Sequence, residues 1–409
     1  MSTQTPPVLR WKELAVVRTA AVVQGLALVT IPTLSTVLTD RAHFGLTQTA
    51  YGALFVPQSV LAIVLSLAGG RLTRTFGIKH MLLAGFAAGA LSMALLVASA
   101  LLTAHHVLAY ADLLMSTACL GFGFAIVTPA LNFLSGEFEP HDVDRAVLVV
   151  NALLGAAAVL SPLLLIAFVG LGIWWALPLL TGVAMIVLFA ASVRLPFQVA
   201  KNAATGTRAG LPARFWIFAA FAFVYGLCEQ MNGSWAPMYL TGHFRAAASF
   251  GLLGLALFWA CAAVGRVTFA LASKRLPETI VFRTLPFVLA GAFALLSIAP
   301  IGYGPAIGAV AFALAGLGVS ALLPLVISFC ERSIPQEAAS VTSYVFAIYL
   351  VGYGLAAFGA GPLQTGGISL QHLYGASTIV ALIAAGLAFA VVGVLDRTSR
   401  SATTAGARS

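Results

Sequence analysis

Twelve stretches of this 409-residue sequence are apolar for long enough to cross a lipid bilayer, and that pattern leaves few folds open. A hydrocarbon core takes about 20 predominantly apolar residues per helical span, because in lipid every backbone N–H and C=O must be satisfied within the segment. The runs lie near 14–39, 47–69, 80–103, 107–135, 146–170, 172–193, 214–240, 248–273, 281–300, 303–330, 338–361 and 369–395. The breaks at 170–172 and 300–303 are read from Gly and Pro rather than from charge. The first run is too long for a signal-peptide core and is read as a retained span. With 61% hydrophobic and only 8% charged residues, the chain is expected to be an all-α polytopic membrane protein.

The charges orient the spans. Of 21 Lys and Arg, 19 fall at or beside the connections that share a side with both termini, and only Arg41 and Arg245 fall opposite. The positive-inside rule then places the termini and the central loop in the cytoplasm, as in a multi-pass protein of the cell (inner) membrane. The net charge of +9 is accounted for by this bias, so a nucleic-acid partner is set aside. The four cysteines, Cys119, Cys228, Cys261 and Cys330, lie in apolar runs without close pairing, which indicates neither a disulfide framework nor a metal cluster. A membrane enzyme is disfavoured, since no catalytic triad or phosphate-binding loop is visible, and no cofactor is indicated.

A basic segment rich in Ala, Gly and Pro, residues 194–213, is the one linker-like stretch. It separates an N-terminal six-helix bundle (1–193) from a C-terminal one (214–397), and residues 398–409 read as a disordered tail. The halves repeat at an offset of 195: Gly70–Arg71 matches Gly265–Arg266, Gly121, Gly123 and Pro129 match Gly316, Gly318 and Pro324, and Pro140 matches Pro335. Shared apolar composition does not produce six coincidences of Gly, Pro and Arg in one register, whereas parallel repeats of six helices do.

Over essentially its whole length the chain resembles the major facilitator superfamily. The loop GGRLTRTFGIKH (69–80) is similar to the superfamily signature between helices 2 and 3, with Gly70, Gly77 and Lys79 in place and Thr73 or Arg74 where the acid would stand. Within the superfamily, residues 131–164 resemble helices 4 and 5 of the fucose permease-like sugar:proton symporters, through Asn132, Arg145, Asn151, Gly155 and Pro162. Glu229, Gly233, Ser234 and Trp235 in helix 7 and GLGVSALLP in helix 10 point the same way. Thr128 stands where that group carries a helix 4 acid, and the first span holds no acid. The resemblance implies two bundles rocking about a midplane cavity.

Glu229, the deepest acid in the sequence, falls near the centre of the seventh span, where a carboxylate costs about 2.5–3.5 kcal/mol on insertion scales and marks a functional site by default. It is the candidate proton carrier, against the alternative of an acid that only pins helix packing. Tyr225, Glu229 and Asn232 share one helical face, and Gly233 and Pro237 are expected to open or kink the helix beyond them. Gln24, Gln58, Asn132, Asn151, Gln230 and Asn232 are buried amides suited to a hydroxyl-rich substrate, or equally to bonding across helices. Tyr225, Trp235, Trp259 and Tyr344 are candidate substrate contacts, with Tyr349 and Tyr353 beside them, and plain packing is the competing role. Arg71 and Arg266, repeated at the cytoplasmic ends of helices 2 and 8, are candidate gating residues or plain anchors.

These residues lead to a monomeric secondary transporter in a lipid bilayer, taking up a small polar, sugar-like solute with protons by alternating access. Proton-driven efflux of a drug or metabolite is the alternative. The antiporter signature of helix 5 is only partly present, since Ser161 precedes Pro162 and no Gly follows closely, which tilts the reading toward uptake.

Overall fold

In the computed structural model, which describes residues 7–197, 211–272, 275–335 and 338–406, the chain is helical from end to end. It divides into two compact units, Met1–Asn202 and Ala203–Ser409. Residues 198–210 of the expected linker lie outside the described residues.

The first unit holds α1 (Pro7–Leu28), α2 (Thr30–Thr33), α3 (Ser35–Thr39), α4 (Gln48–Ala53), α5 (Phe55–Phe76), α6 (Ile78–Ser99), α7 (His106–Phe138), α8 (Val143–Gly170) and α9 (Ala176–Arg194). The second holds α10 (Phe215–Gly242), α11 (Ala248–Ala272), α12 (Glu278–Ile298), α13 (Pro305–Val319), α14 (Leu322–Ser333), α15 (Ala338–Thr365) and α16 (Leu370–Gly406). Of the segment read as a disordered tail, 398–406 continue α16 as helix to Gly406, and 407–409 lie outside the described residues.

Prolines explain why three expected spans arrive in pieces. A proline has no N–H for the carbonyl four residues back. Pro32 faces Leu28, where α1 ends; Pro57 faces Ala53, where α4 ends; and Pro324 faces Ser320, which caps α13. Of the opening or kink expected at Gly233 and Pro237, an opening is absent: α10 runs as helix through Pro237. The carbonyl that must turn away from that ring belongs to Gly233, which has the freedom to do so.

Ten helical courses among the described residues are long and apolar enough to cross a membrane. The two spans that fall short are the broken course α1–α3 and α10, whose middle carries Glu229, Gln230 and Asn232.

Within each unit the same pairs of helices pack: α1 on α8, α5 on α7, α6 on α7 and α9, and correspondingly α10 on α15, α11 on α13, α12 on α13 and α16. Two of the three repeated glycine pairs perform the same task in both, while Gly70 stands in open space and Gly265 faces the Ser320 side chain. A side chain on Gly121 would strike the Gln58 carbonyl of α5, and one on Gly316 the Phe258 carbonyl of α11. Gly123 and Gly318 meet α6 and α12 in the same way: a Cβ added there would stand 3.0 Å from the Gly85 carbonyl oxygen and 2.9 Å from the Leu289 nitrogen. Small residues let helix backbones approach closely where lipid supplies no hydrophobic drive for association.

The first helical course of each unit is the most enclosed: in the first unit, from Ala20 to Leu38 no residue is exposed. Most spans present large apolar side chains outward, as Val60, Val64, Ile186, Val264 and Ile379 do, but every residue of α10 from Cys228 to Leu240 is buried. A helix enclosed on all sides sits at the centre of its bundle. It packs against α11, α13, α14, α15 and α16, and most closely against α15. There Gly226 faces the Tyr349 carbonyl and Gly352 faces the Phe223 carbonyl, each too near to admit a Cβ.

Gly226→Ala and Gly352→Ala are expected to cost about 1–3 kcal/mol by overpacking and to lower the thermal midpoint in detergent, read by dye labelling of the buried thiols Cys228 and Cys330. Gly386→Ala, in open space on α16, leaves that midpoint in place.

Candidate functional site

The close approach of α10 and α15 brings two phenols onto one carboxyl group. Tyr225, one turn before Glu229, donates to Oε1 at 2.9 Å, and Tyr349 of α15 donates to Oε2 at 2.6 Å. Both carboxyl oxygens are therefore taken while Glu229 is only 5% exposed. Among the described residues no Lys or Arg lies within ion-pair distance of it. A cage of neutral donors, unlike a salt bridge, can hold a carboxyl group in either protonation state.

Tyr225 also lies 3.2 Å from the carbonyl of Val319, the last residue of α13. The next carbonyl, Ser320, has lost its helical donor to Pro324 and accepts instead from Arg266 Nε at 3.1 Å. Arg266 is half-buried and tied to the break between α13 and α14, whereas its repeat partner Arg71 is exposed at the end of α5. The two expected gating residues are thus not equivalent.

On the other faces of α10, Gln230 bonds Ser234, and Asn232 Nδ2 donates to the Cys228 carbonyl at 3.0 Å. That bond fixes the Asn232 amide, whose Oδ1 is buried with no partner among the described residues. Gln230 and Trp259 converge over Gly233, within 3.0 and 3.5 Å of where a Cβ would stand, and Trp259 Nε1 is unpartnered as well. Trp235 is fully buried. Tyr344 is set apart: it is exposed and packs edge-on to Phe215, so it does not join the Glu229 cluster.

The remaining amides belong to the first unit. Asn151 donates to Asn132 Oδ1 at 2.9 Å and to the Val147 carbonyl at 2.9 Å, a bond between α7 and α8 of the kind that glues membrane helices. Asn132 also lines a shallow cleft with Phe133, Gly136, Glu137, Pro140 and Val143. Gln24 is buried on α1, and Gln58 is buried on α5 with its Oε1 unpartnered among the described residues.

Two features are not evident from the sequence. Glu13 is as buried as Glu229 and accepts the Phe197 N–H at 2.6 Å, holding the turn after α9 to the start of α1. Arg18 donates to both oxygens of Glu139, at 3.0 Å each, and joins α1 to the end of α7.

The sequence matches the profile of the major facilitator superfamily over residues 19–357. The chain belongs to this superfamily. A major facilitator is a multi-pass membrane transporter of small solutes and not an enzyme. No curated protein matches the sequence. Among solved structures, a mutant of the nucleoside transporter NupG superposes with a TM-score of 0.75 at 13% identity, covering 94% of this chain and 99% of the other. The fucose:proton symporter FucP in its outward conformation gives 0.65 at 14%, covering 93% and 98%, and a point mutant of the E. coli FucP gives 0.63 at 14% with the same coverage. At such identities these likenesses establish the major facilitator fold.

Arg266→Lys keeps the charge but not the Nε–H that caps Ser320, a charge-assisted bond worth about 1.5–3 kcal/mol. It is expected to slow solute transport in reconstituted vesicles by roughly tenfold, while Arg71→Lys does not.

Proposed function

We propose that this major facilitator carries a small polar, sugar-like solute into the cell together with a proton, and that Glu229 is the proton carrier. The observation that carries the reading is the neutral cage: a buried carboxyl group with a hydroxyl donor on each oxygen and, among the described residues, no cation within ion-pair reach. A structural acid in a membrane bundle is more economically held by a fixed counter-ion, since leaving a carboxylate without one costs several kcal/mol. The superfamily works by alternating access, and exposure of Glu229 to one side and then the other would load and release the proton.

The unpartnered Asn232 Oδ1, Gln230 Oε1 and Trp259 Nε1 on the same bundle supply acceptors and a donor for a hydroxylated solute. The structural likeness to proteins described as a fucose:proton symporter and a nucleoside transporter supports a polar organic substrate. The Lys and Arg bias supports cytoplasmic termini in an inner membrane.

Reconstituted vesicles with a pH-sensitive dye inside test this directly. Among sugars, nucleosides and organic cations, a polar neutral solute is expected to acidify the lumen as it enters, and Glu229→Gln to exchange that solute without moving protons. Counter-movement of protons with an organic cation would replace uptake by efflux, and unaltered proton movement in Glu229→Gln would remove the assignment altogether.

A further inference from the structure

Tyr225 has one hydroxyl hydrogen and two acceptors within reach, Glu229 Oε1 at 2.9 Å and the Val319 carbonyl at 3.2 Å. It cannot serve both fully at once. When Glu229 is ionised, the hydroxyl hydrogen belongs on Oε1. When Glu229 carries its proton on Oε1, that proton points at the Tyr225 oxygen, and the tyrosine's own hydrogen turns to Val319. Tyr349 donates to Oε2 in both cases. No proton is gained or lost by the tyrosines: one O–H bond rotates, and the number of hydrogens is unchanged.

The Val319 carbonyl is not an ordinary acceptor. It is the last carbonyl of α13, at the break before α14, and it accepts the Tyr225 hydroxyl. The adjoining Ser320 carbonyl is held from the other side by Arg266. Two side chains thus hold neighbouring carbonyls of an interrupted helix, one constantly and one according to the state of Glu229.

We infer that Tyr225 is the residue that reports the protonation of Glu229 to the α13–α14 break, making its hydrogen bond to the Val319 carbonyl dependent on a loaded carboxyl group. This rests on the reading of Glu229 as proton carrier, and it changes the place of Tyr225 from substrate contact to positioning residue. The titratable and charged groups that face Glu229 are Tyr225 and Cys228 on its own helix, Tyr349 and Tyr353 on α15, and Arg266 on α11. Tyr374 of α16 donates to the Met231 carbonyl at 3.3 Å, and Glu331 of α14 is bonded by Thr342. Of these groups, Tyr225 is the one bonded both to the carboxyl group and to the break.

The test compares Tyr225→Phe, Tyr349→Phe and Glu229→Gln in the full-length protein. Solute uptake and luminal acidification are followed across a pH series with the solute found to be transported. Tyr225→Phe is expected to flatten the pH dependence of uptake and to lower the protons moved per solute. Tyr349→Phe moves the pH midpoint but keeps that ratio. A Tyr225→Phe protein with the wild-type profile and ratio overturns the inference while leaving Glu229 as carrier. A wild-type profile in Glu229→Gln overturns the reading beneath it. Hydrogen–deuterium exchange over residues 320–326 gives the same answer without transport, once corrected for the chemical rate. Protection there follows pH in the wild type, stays at the loaded level in Glu229→Gln, and loses its pH dependence in Tyr225→Phe. Retained pH dependence in Tyr225→Phe contradicts the inference.

Discussion

A carboxyl group enclosed by a membrane bundle has to be met by donors, and the second unit is arranged around meeting Glu229. Its burial costs about 2.5–3.5 kcal/mol on insertion scales, and each hydrogen bond to a charged group returns about 1.5–3 kcal/mol, so two phenols are enough and one is marginal. Tyr225 comes from the same helix, one turn away. Tyr349 comes from α15, and it reaches only because Gly226 and Gly352 let the two backbones nearly touch. Close packing thus sets the geometry of the polar site.

The same economy explains the interrupted helices. A proline withdraws a donor from the carbonyl four residues earlier, and that carbonyl then needs a partner from elsewhere. At Ser320 the partner is Arg266; the adjoining Val319 carbonyl, which no proline deprives of a donor, accepts from Tyr225, which also serves Glu229. The break in the tenth span is in this way wired to the acid of the seventh. In α10 itself Pro237 leaves the helix whole, so the polar residues Glu229, Gln230 and Asn232 lie within continuous helix.

The architecture was legible in the sequence because its determinants are local or repeated. Run length locates the spans, and two of the glycine pairs at an offset of 195, Gly121 with Gly316 and Gly123 with Gly318, mark close approaches to the backbone of a neighbouring helix in both halves. Glu229 stood out for a local reason too, as an acid in an apolar run. Its second partner did not, because Tyr349 is 120 residues away and nothing local separates it from Tyr344 or Tyr353. Five positions along a helix turn a side chain to nearly the opposite face, and Tyr344 is accordingly exposed while Tyr349 is buried. Glu13 was passed over for the same kind of reason: its bond is to Phe197, on the far side of the first unit's sequence. The matched arginines misled in the other direction, since equal register does not ensure equal surroundings, and only Arg266 has a proline-freed carbonyl beside it.

Everything in this account turns on one carboxyl group that changes its protonation inside the bundle. Infrared difference spectroscopy of the purified protein in lipid, recorded as the pH is stepped, observes that change as the carbonyl stretch of a neutral carboxylic acid in a dry environment. The account predicts one such band that appears and disappears with pH in the wild type, shifts in Tyr225→Phe and Tyr349→Phe through the lost hydrogen bonds, and is missing in Glu229→Gln. A band that survives in Glu229→Gln, or a Glu229 signal that does not move with pH, would contradict it.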